Sequence, residues 1–289
     1  MKKLALLLAA LGVMSATTFA EEPTLKVTSI GQEVEIENTS GGEDIGQSVW
    51  FKNMINLSYG DWTFNAVGAK IWSMDTDNGI HSKDHRLEFT GMKKMNDNYT
   101  LGFRYRGHKD YDRYVLRGAW NYGMIWGSAD VWYQANNASP AKEDNIEMEL
   151  FPIGINYNGI KVGYLIDYTK YINPSEEFQK SAIEHQIRAY APLYKGEKLT
   201  LQTEIRHTLH NDKDYTRDKA GNKVPYKAFD DFGRTRVYLK SDYKVNDALN
   251  VYLNYAYEIS DSVSRDGKKS DVDSDKYYGN LTFGWNYTF

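Results

Sequence analysis

The chain has no cysteine and only six prolines in 289 residues. Without cysteine there is no disulfide scaffold, no thiolate metal site and no thiol nucleophile. Charge of one sign is lacking too: 35 Lys and Arg stand against 39 Asp and Glu, a formal net of −4. No basic face therefore invites nucleic acid. Long apolar runs are missing as well. The best of them, Leu4 to Val13, is about half the roughly 20 residues a membrane helix needs. It follows Lys2 and Lys3 and precedes Ser15-Ala16-Thr17-Thr18-Phe19-Ala20, which is the layout of a secretory signal peptide. Residues 1–20 are expected to be removed, leaving 21–289 as an exported chain of net charge −6.

What the chain does have is rings. It carries 23 Tyr, 11 Phe and 7 Trp, yet its mean hydropathy is −0.63. A soluble domain buries rings behind aliphatic runs, whereas a membrane β-barrel alternates them with polar residues. Alternation is what the sequence shows. Near the C-terminus Leu281, Phe283, Trp285, Tyr287 and Phe289 interleave with Asn280, Thr282, Gly284, Asn286 and Thr288. The same period of two runs through Leu249–Ser260, Ile160–Thr169, Leu199–Arg206 and Tyr99–Arg106. Successive strand side chains point to opposite faces, so each segment has one apolar and one wet face. No stretch sustains a helical period.

The connections alternate in length. Tight turn signals fall at Gly60-Asp61, Asn96-Asp97-Asn98, Tyr122-Gly123, Asn158-Gly159, Lys195-Gly196-Glu197 and Asn246-Asp247. Longer polar stretches lie between them, near 39–46, 75–83, 109–112, 136–145, 173–180, 211–228 and 261–275. Thirteen connections make fourteen strands. An even count with short turns on one side and long loops on the other marks a bacterial outer-membrane barrel, all-β and antiparallel, with both termini periplasmic. Pro152 removes a ladder donor, so the outward phase of Ile146, Met148 and Leu150 should switch at a bulge to Ile153, Ile155 and Tyr157. The phase also slips around Ala66–Ile71, where Lys70 fits either face. In the first strand, near 26–38, Val34 and Ile36 face out and Glu33, Glu35 and Glu37 face in. Tyr59, Trp62, Tyr99, Trp120, Tyr122, Tyr157, Tyr243 and Tyr287 lie near the short turns or the C-terminal strand end, where amphipathic rings sit among lipid headgroups. Nothing divides 21–289, so a single barrel domain is expected.

Fourteen strands about 4.8 Å apart and tilted about 40° give a backbone diameter of about 28 Å and a bore of about 15 Å. Side chains alone do not fill such a bore, and no loop or leading segment is long enough to plug it. The expected pore lining is Glu35, Lys52, Arg86, Glu88, Arg104, Arg106, Arg117, Asp130, Glu147, Asp167, Glu184, Arg188, Glu204, Arg206, Arg234, Arg236, Lys240 and Glu258. Charges of both signs along a wet wall filter solutes by their transverse field, and the same charges brace the wall by pairing across strands.

Several pieces resemble the outer-membrane protein G-like monomeric porins, in order across the mature chain. They are Glu35-Ile36-Glu37-Asn38, Gln186-Ile187-Arg188-Ala189-Tyr190-Ala191-Pro192-Leu193, Tyr255-Ala256-Tyr257-Glu258, Ser274-Asp275-Lys276 and Asn286-Tyr287-Thr288-Phe289. The resemblance implies a monomeric general diffusion porin in the outer membrane, surrounded by lipid and lipopolysaccharide. It would pass ions and small hydrophilic solutes such as oligosaccharides, need no cofactor and perform no catalysis. Phe289 looks like the signal read by the barrel assembly machinery. The best-studied member of that family closes at acid pH using two histidines at the outer ends of the twelfth and thirteenth strands, with the sixth loop as lid. Here those positions are Asp230 and Ser262, so histidine-driven closure is not expected. The loop itself is present and makes a candidate gate through Asn211, Asp214, Arg217, Lys223 and Lys227.

Rival readings have weaker support. A channel specific for acidic oligosaccharides would use the arginines, but glutamates and aspartates interleave with them. A barrel hydrolase would need more than His207 and His210 beside Asp212 and Asp214, since no nucleophile spacing accompanies them. His81-Ser82-Lys83-Asp84-His85 has an i, i+4 histidine pair that shares a face only on a helix, and here it reads as a loop entering a strand.

Overall fold

Period-two alternation becomes strand wherever turn chemistry lets the chain reverse. The computed structural model describes residues 23–39, 46–75, 79–137, 143–174, 180–212, 214–217, 223–227, 229–262 and 275–289. The signal segment 1–20 lies outside the described residues, as do 218–222 of the candidate gate and most of the expected loop 261–275. Among the described residues all regular structure is β. The strands are β1 (Lys26–Thr39), β2 (Gly46–Tyr59), β3 (Trp62–Asp75), β4 (Gly79–Lys94), β5 (Tyr99–His108), β6 (Tyr111–Tyr122), β7 (Ile125–Asn136) and β8 (Asn145–Tyr157). They continue with β9 (Ile160–Tyr171), β10 (Ser181–Lys195), β11 (Leu199–Asn211), β12 (Asp214–Arg217), β13 (Lys223–Lys227), β14 (Phe229–Lys244), β15 (Leu249–Ser262) and β16 (Asp275–Thr288).

Fourteen of these close an antiparallel barrel in chain order, with β16 returning to β1; β12 and β13 pair with each other. Closure leaves no strand edge, which is the condition for burying a sheet in lipid. The six tight reversals fall where the turn signals stand. Asn158 and Gly159 both adopt positive φ, 50° and 82°, as a two-residue primed hairpin turn requires. The start of β1 and the C-terminus share the short-turn end: Lys26 faces Ser58 beside the first turn, and the Phe289 amide donates to the Thr28 carbonyl at 3.1 Å.

Three connections differ from the sequence expectation. In the polar stretch 75–83 the described residues are strand, since pairing runs out to Asp75 opposite Gly79 and 79–83 lie in β4. Residues 109–112 shrink to a two-residue link, Lys109-Asp110. In the candidate gate, Asp214 pairs with Lys227 and Arg217 faces Lys223 in the β12–β13 hairpin. The cause is common to all three: a strand projecting beyond the apolar band is wet on both faces, so its polarity imitates a loop. For the same reason His81–His85 lies wholly within β4. The Pro152 bulge is present, with register shifting between Leu150 and Ile153 against β9.

The outer face is the apolar one. Leu116 is 72% exposed, and Leu101, Ile153, Ile155, Leu239, Leu253 and Phe283 are exposed around the same wall. Tyr99, Tyr122, Tyr157, Tyr243 and Tyr287 are exposed near the short turns or the C-terminal end. Lys70 turns outward between Phe51 and His85, its Nζ 5.6 Å from the Trp72 ring, while Val67 and Ile71 turn inward and are buried.

Candidate functional site

The inner face collects the charges. Register places all eighteen of the residues named above on that one face, Glu147 and Asp167 on β8 and β9 and the others in three neighbourhoods. On β1 and β2, Lys52 bonds both Glu35 and Glu33, the latter at 2.6 Å. Tyr252, on β15, leans across β16 and donates to Glu33 at 2.8 Å. It passes over Gly284, where a Cβ would sit 2.4 Å from the Tyr252 hydroxyl and ring.

On β4 to β7, Arg106 Nε donates to Glu88 at 2.6 Å, and Arg117 Nε donates to both Asp130 oxygens at 3.0 and 3.1 Å. Arg104 lies 3.6 Å from Asp130. Arg86 stacks on Trp50, 4.7 Å from the ring. On β10 to β15, Glu204 accepts from Arg206 and Lys240, both at 2.5 Å. Glu258 Oε2 accepts from Arg234 at 3.0 Å and Arg236 at 2.6 Å. Arg234 also reaches Glu184 at 3.3 Å, and Arg188 donates to Gln186 at 2.9 Å.

The sequence reading omitted several inner residues. Arg113, Glu149 and Trp132 share the face, and the phase signal for each was present, while Glu33 faces in as its strand parity already indicated. Arg113 alternates with Tyr114, for instance, and Glu149 with Met148 and Leu150. Trp132 is 96% buried on the inner side, opposite Val115 and Glu147.

Register also brings like charges face to face. Asp130, Glu149, Asp167 and Glu184 are consecutive partners across β7, β8, β9 and β10. Arg188, Arg206 and Arg236 do the same across β10, β11 and β14, and Arg106 faces Arg113. Directly opposed like charges destabilise a sheet pair. Around them lies a cavity of about 340 Å³ touched by Arg104 and Arg106 of β5 and, on the opposite wall, by Arg236 and Glu258. Side chains from both walls lining one small space mean that the arginines narrow the wide bore expected from backbone geometry alone.

At the short-turn end, outside the spanning segments, a hydrogen bond from Lys94 holds the Asp97 carboxyl below its ordinary range, and Lys244 does the same for Asp247. His185, His207 and His210 point away from the lumen at the opposite end, whereas His108 sits on the inner face opposite Arg86 and bonds Asp84 at 3.1 Å. His185 faces His210 with ring centroids 5.9 Å apart, His207 bonds Thr235 at 2.9 Å, and His210 bonds Asp231 at 3.0 Å. Asn211, the inner end of the candidate gate, is buried opposite Glu184.

Neither a protein-family profile nor a curated relative matches the chain. Among solved structures it is similar to OprD of Pseudomonas aeruginosa, at 11% identity over 95% of this chain and 97% of that one, TM-score 0.47. It is also similar to OmpT, an outer membrane protein of Vibrio cholerae, at 13% identity over 93% and 100%, TM-score 0.44. An anion-selective porin from Comamonas acidovorans gives 11% identity over 93% and 100%, TM-score 0.43. The barrel is established by this chain's own closed strand pairing, not by these likenesses.

Proposed function

We propose that the protein is an outer-membrane porin, a water-filled channel for ions and small hydrophilic solutes. The carrying observation is the inversion of faces: a closed fourteen-stranded wall exposes leucine, isoleucine and aromatic rings outward and gathers charges of both signs around an internal cavity. Such an outer surface needs hydrocarbon, and ionised side chains inside it need water. The barrel strands, 10 to 16 residues long, suffice to cross a bilayer, which takes about 9–11. The short turns and both ends of the barrel sequence face the periplasm, with Phe289 presented to the assembly machinery. The barrel works as a monomer, the β12–β13 hairpin lies at the outer mouth, and the lumen does no catalysis. Refolded mature protein in a planar bilayer should give discrete conductance steps. A folded barrel that inserts without conducting would refute the reading.

A further inference from the structure

Resting on the channel reading, we infer that the lumen holds a binding station for a hydroxylated carboxylate, a sugar acid, centred on Arg113 with Arg106 and Arg104. The argument begins with an imbalance. Of the five inner arginines on β4 to β6, Arg106 pairs with Glu88 and Arg104 and Arg117 share Asp130, while Arg86 lies over the Trp50 ring. Asp84, farther along β4, is bonded to His108 and to the Lys109 amide. Arg113 is hydrogen-bonded to a neutral amide. Its Nε and Nη2 donate to Gln134 Oε1 at 3.0 and 2.6 Å, and its guanidinium lies 4.6 Å over the Trp132 ring. Gln134 is oriented in turn by donating to Asn136 at 3.0 Å, and Asn136 donates to the Glu143 carbonyl.

This chain of amides fixes the guanidinium without neutralising it. A guanidinium has five N–H donors, and one acceptor oxygen leaves the rest of the fork for a solute. Arg106 is its cross-strand partner and lines the same cavity, its Nε bonded to Glu88, so two guanidiniums border one space although like charges in register cost stability. Planar forks of this kind match a carboxylate bidentately. The ligand's remaining character follows from the other lining. Glu147, Glu149 and Asp167 border the same cavity and accept hydrogen bonds from hydroxyls, while repelling a dianion more than a monoanion. The cavity, about 340 Å³, sits at the small end of ligand pockets, about 300–1,000 Å³. A hydroxylated monoanion meets both walls; neutral sugars meet only one.

The test is current blockade in single channels of the refolded full mature chain, with glucose, glucuronate, glucosamine and inorganic phosphate as probes. Glucuronate should block with dwell times about tenfold or more above glucose, the scale of a charge-assisted hydrogen bond. R113Q should remove most of that difference. Q134E, which neutralises Arg113 in place, should do likewise, whereas K94Q at the far mouth should leave it intact. Heat-modifiable migration on gels certifies that each variant is a folded barrel. Equal blockade by glucose and glucuronate, a preference for glucosamine or phosphate, or an unaltered preference in R113Q and Q134E would overturn the station. In each of those outcomes conductance persists, so the channel reading survives; loss of conductance in the parent protein would instead remove the channel itself.

Discussion

Glu258→Gln isolates the worth of one inner carboxylate. Glu258 sits at the end of the row Arg188–Arg206–Arg236, and a single oxygen of its carboxylate accepts from Arg236 at 2.6 Å and Arg234 at 3.0 Å. The side chains are 10%, 19% and 22% exposed, so the pairs are mostly buried but border a wet space. A unit pair at about 4 Å is worth about 1 kcal/mol in bulk water and about 4 kcal/mol at an effective dielectric near 20. Arg234 keeps Glu184 at 3.3 Å, and the new amide still accepts one bond. What disappears is the negative charge that Arg234 and Arg236 share. An intermediate dielectric gives a loss of about 2–4 kcal/mol.

Urea unfolding in lipid, followed by tryptophan fluorescence, should therefore lose about 1 M in its midpoint for a slope of about 2–3 kcal/mol per molar. The same variant adds net positive charge to the lumen, so its reversal potential in a salt gradient should move toward the anion's. High salt should shrink both effects by screening. An unmoved midpoint together with an unmoved reversal potential would show that Glu258 neither braces the wall nor faces the solute path.

Leu116→Arg places a charge at the centre of β6 on the lipid face and should cost about 2–4 kcal/mol in the same unfolding assay, against about 1 or less for Tyr99→Arg beside a turn. Gly284→Val should push Tyr252 off its bond to Glu33, since even a Cβ would meet its hydroxyl at 2.4 Å and the Gln32 carbonyl oxygen at 2.7 Å; a lower unfolding midpoint reports it, and an unchanged one refutes the seam argument. Because His185, His207 and His210 point outward, and protonating inner His108 only tightens its bond to Asp84 rather than repelling a second imidazole, open probability should be alike at about pH 5 and about pH 7.5, and closure with a midpoint near 6 would contradict this.

The barrel was legible in the chain because lipid imposes a rule on every strand: one face must be apolar for its whole crossing. That rule wrote the alternation of Leu249–Ser260 and Leu281–Phe289, and it even located the bulge at Pro152. The rule lapses past the bilayer. There polarity no longer distinguishes strand from loop, so 75–83 and 109–112 read as connections and the β12–β13 hairpin went unseen. It also lapses inside, where apolar Val67, Ile71 and Leu165 are as acceptable as charges once neighbours cover them.

Faces are local information; register is not. Parity alone puts Glu149 inside, but its position opposite both Asp130 and Asp167 depends on bulges on each side of it, one near Gly127 and one at Pro152. A slip of two residues would keep every face correct and bring Glu147 opposite Asp167 instead. The arginine row depends likewise on the shift between His185 and Gln186. A sheet shaped only for rigidity would use such slips to set opposite charges against each other, since each correct cross-strand pair gains and each like pair loses about 0.2–1 kcal/mol. Here three separate sets of like charges persist side by side around one cavity. Stability does not call for that arrangement, and the proposed channel does: segregated rows would create a transverse field, and the neutral anchoring of Arg113 would leave part of that field directed at the solute.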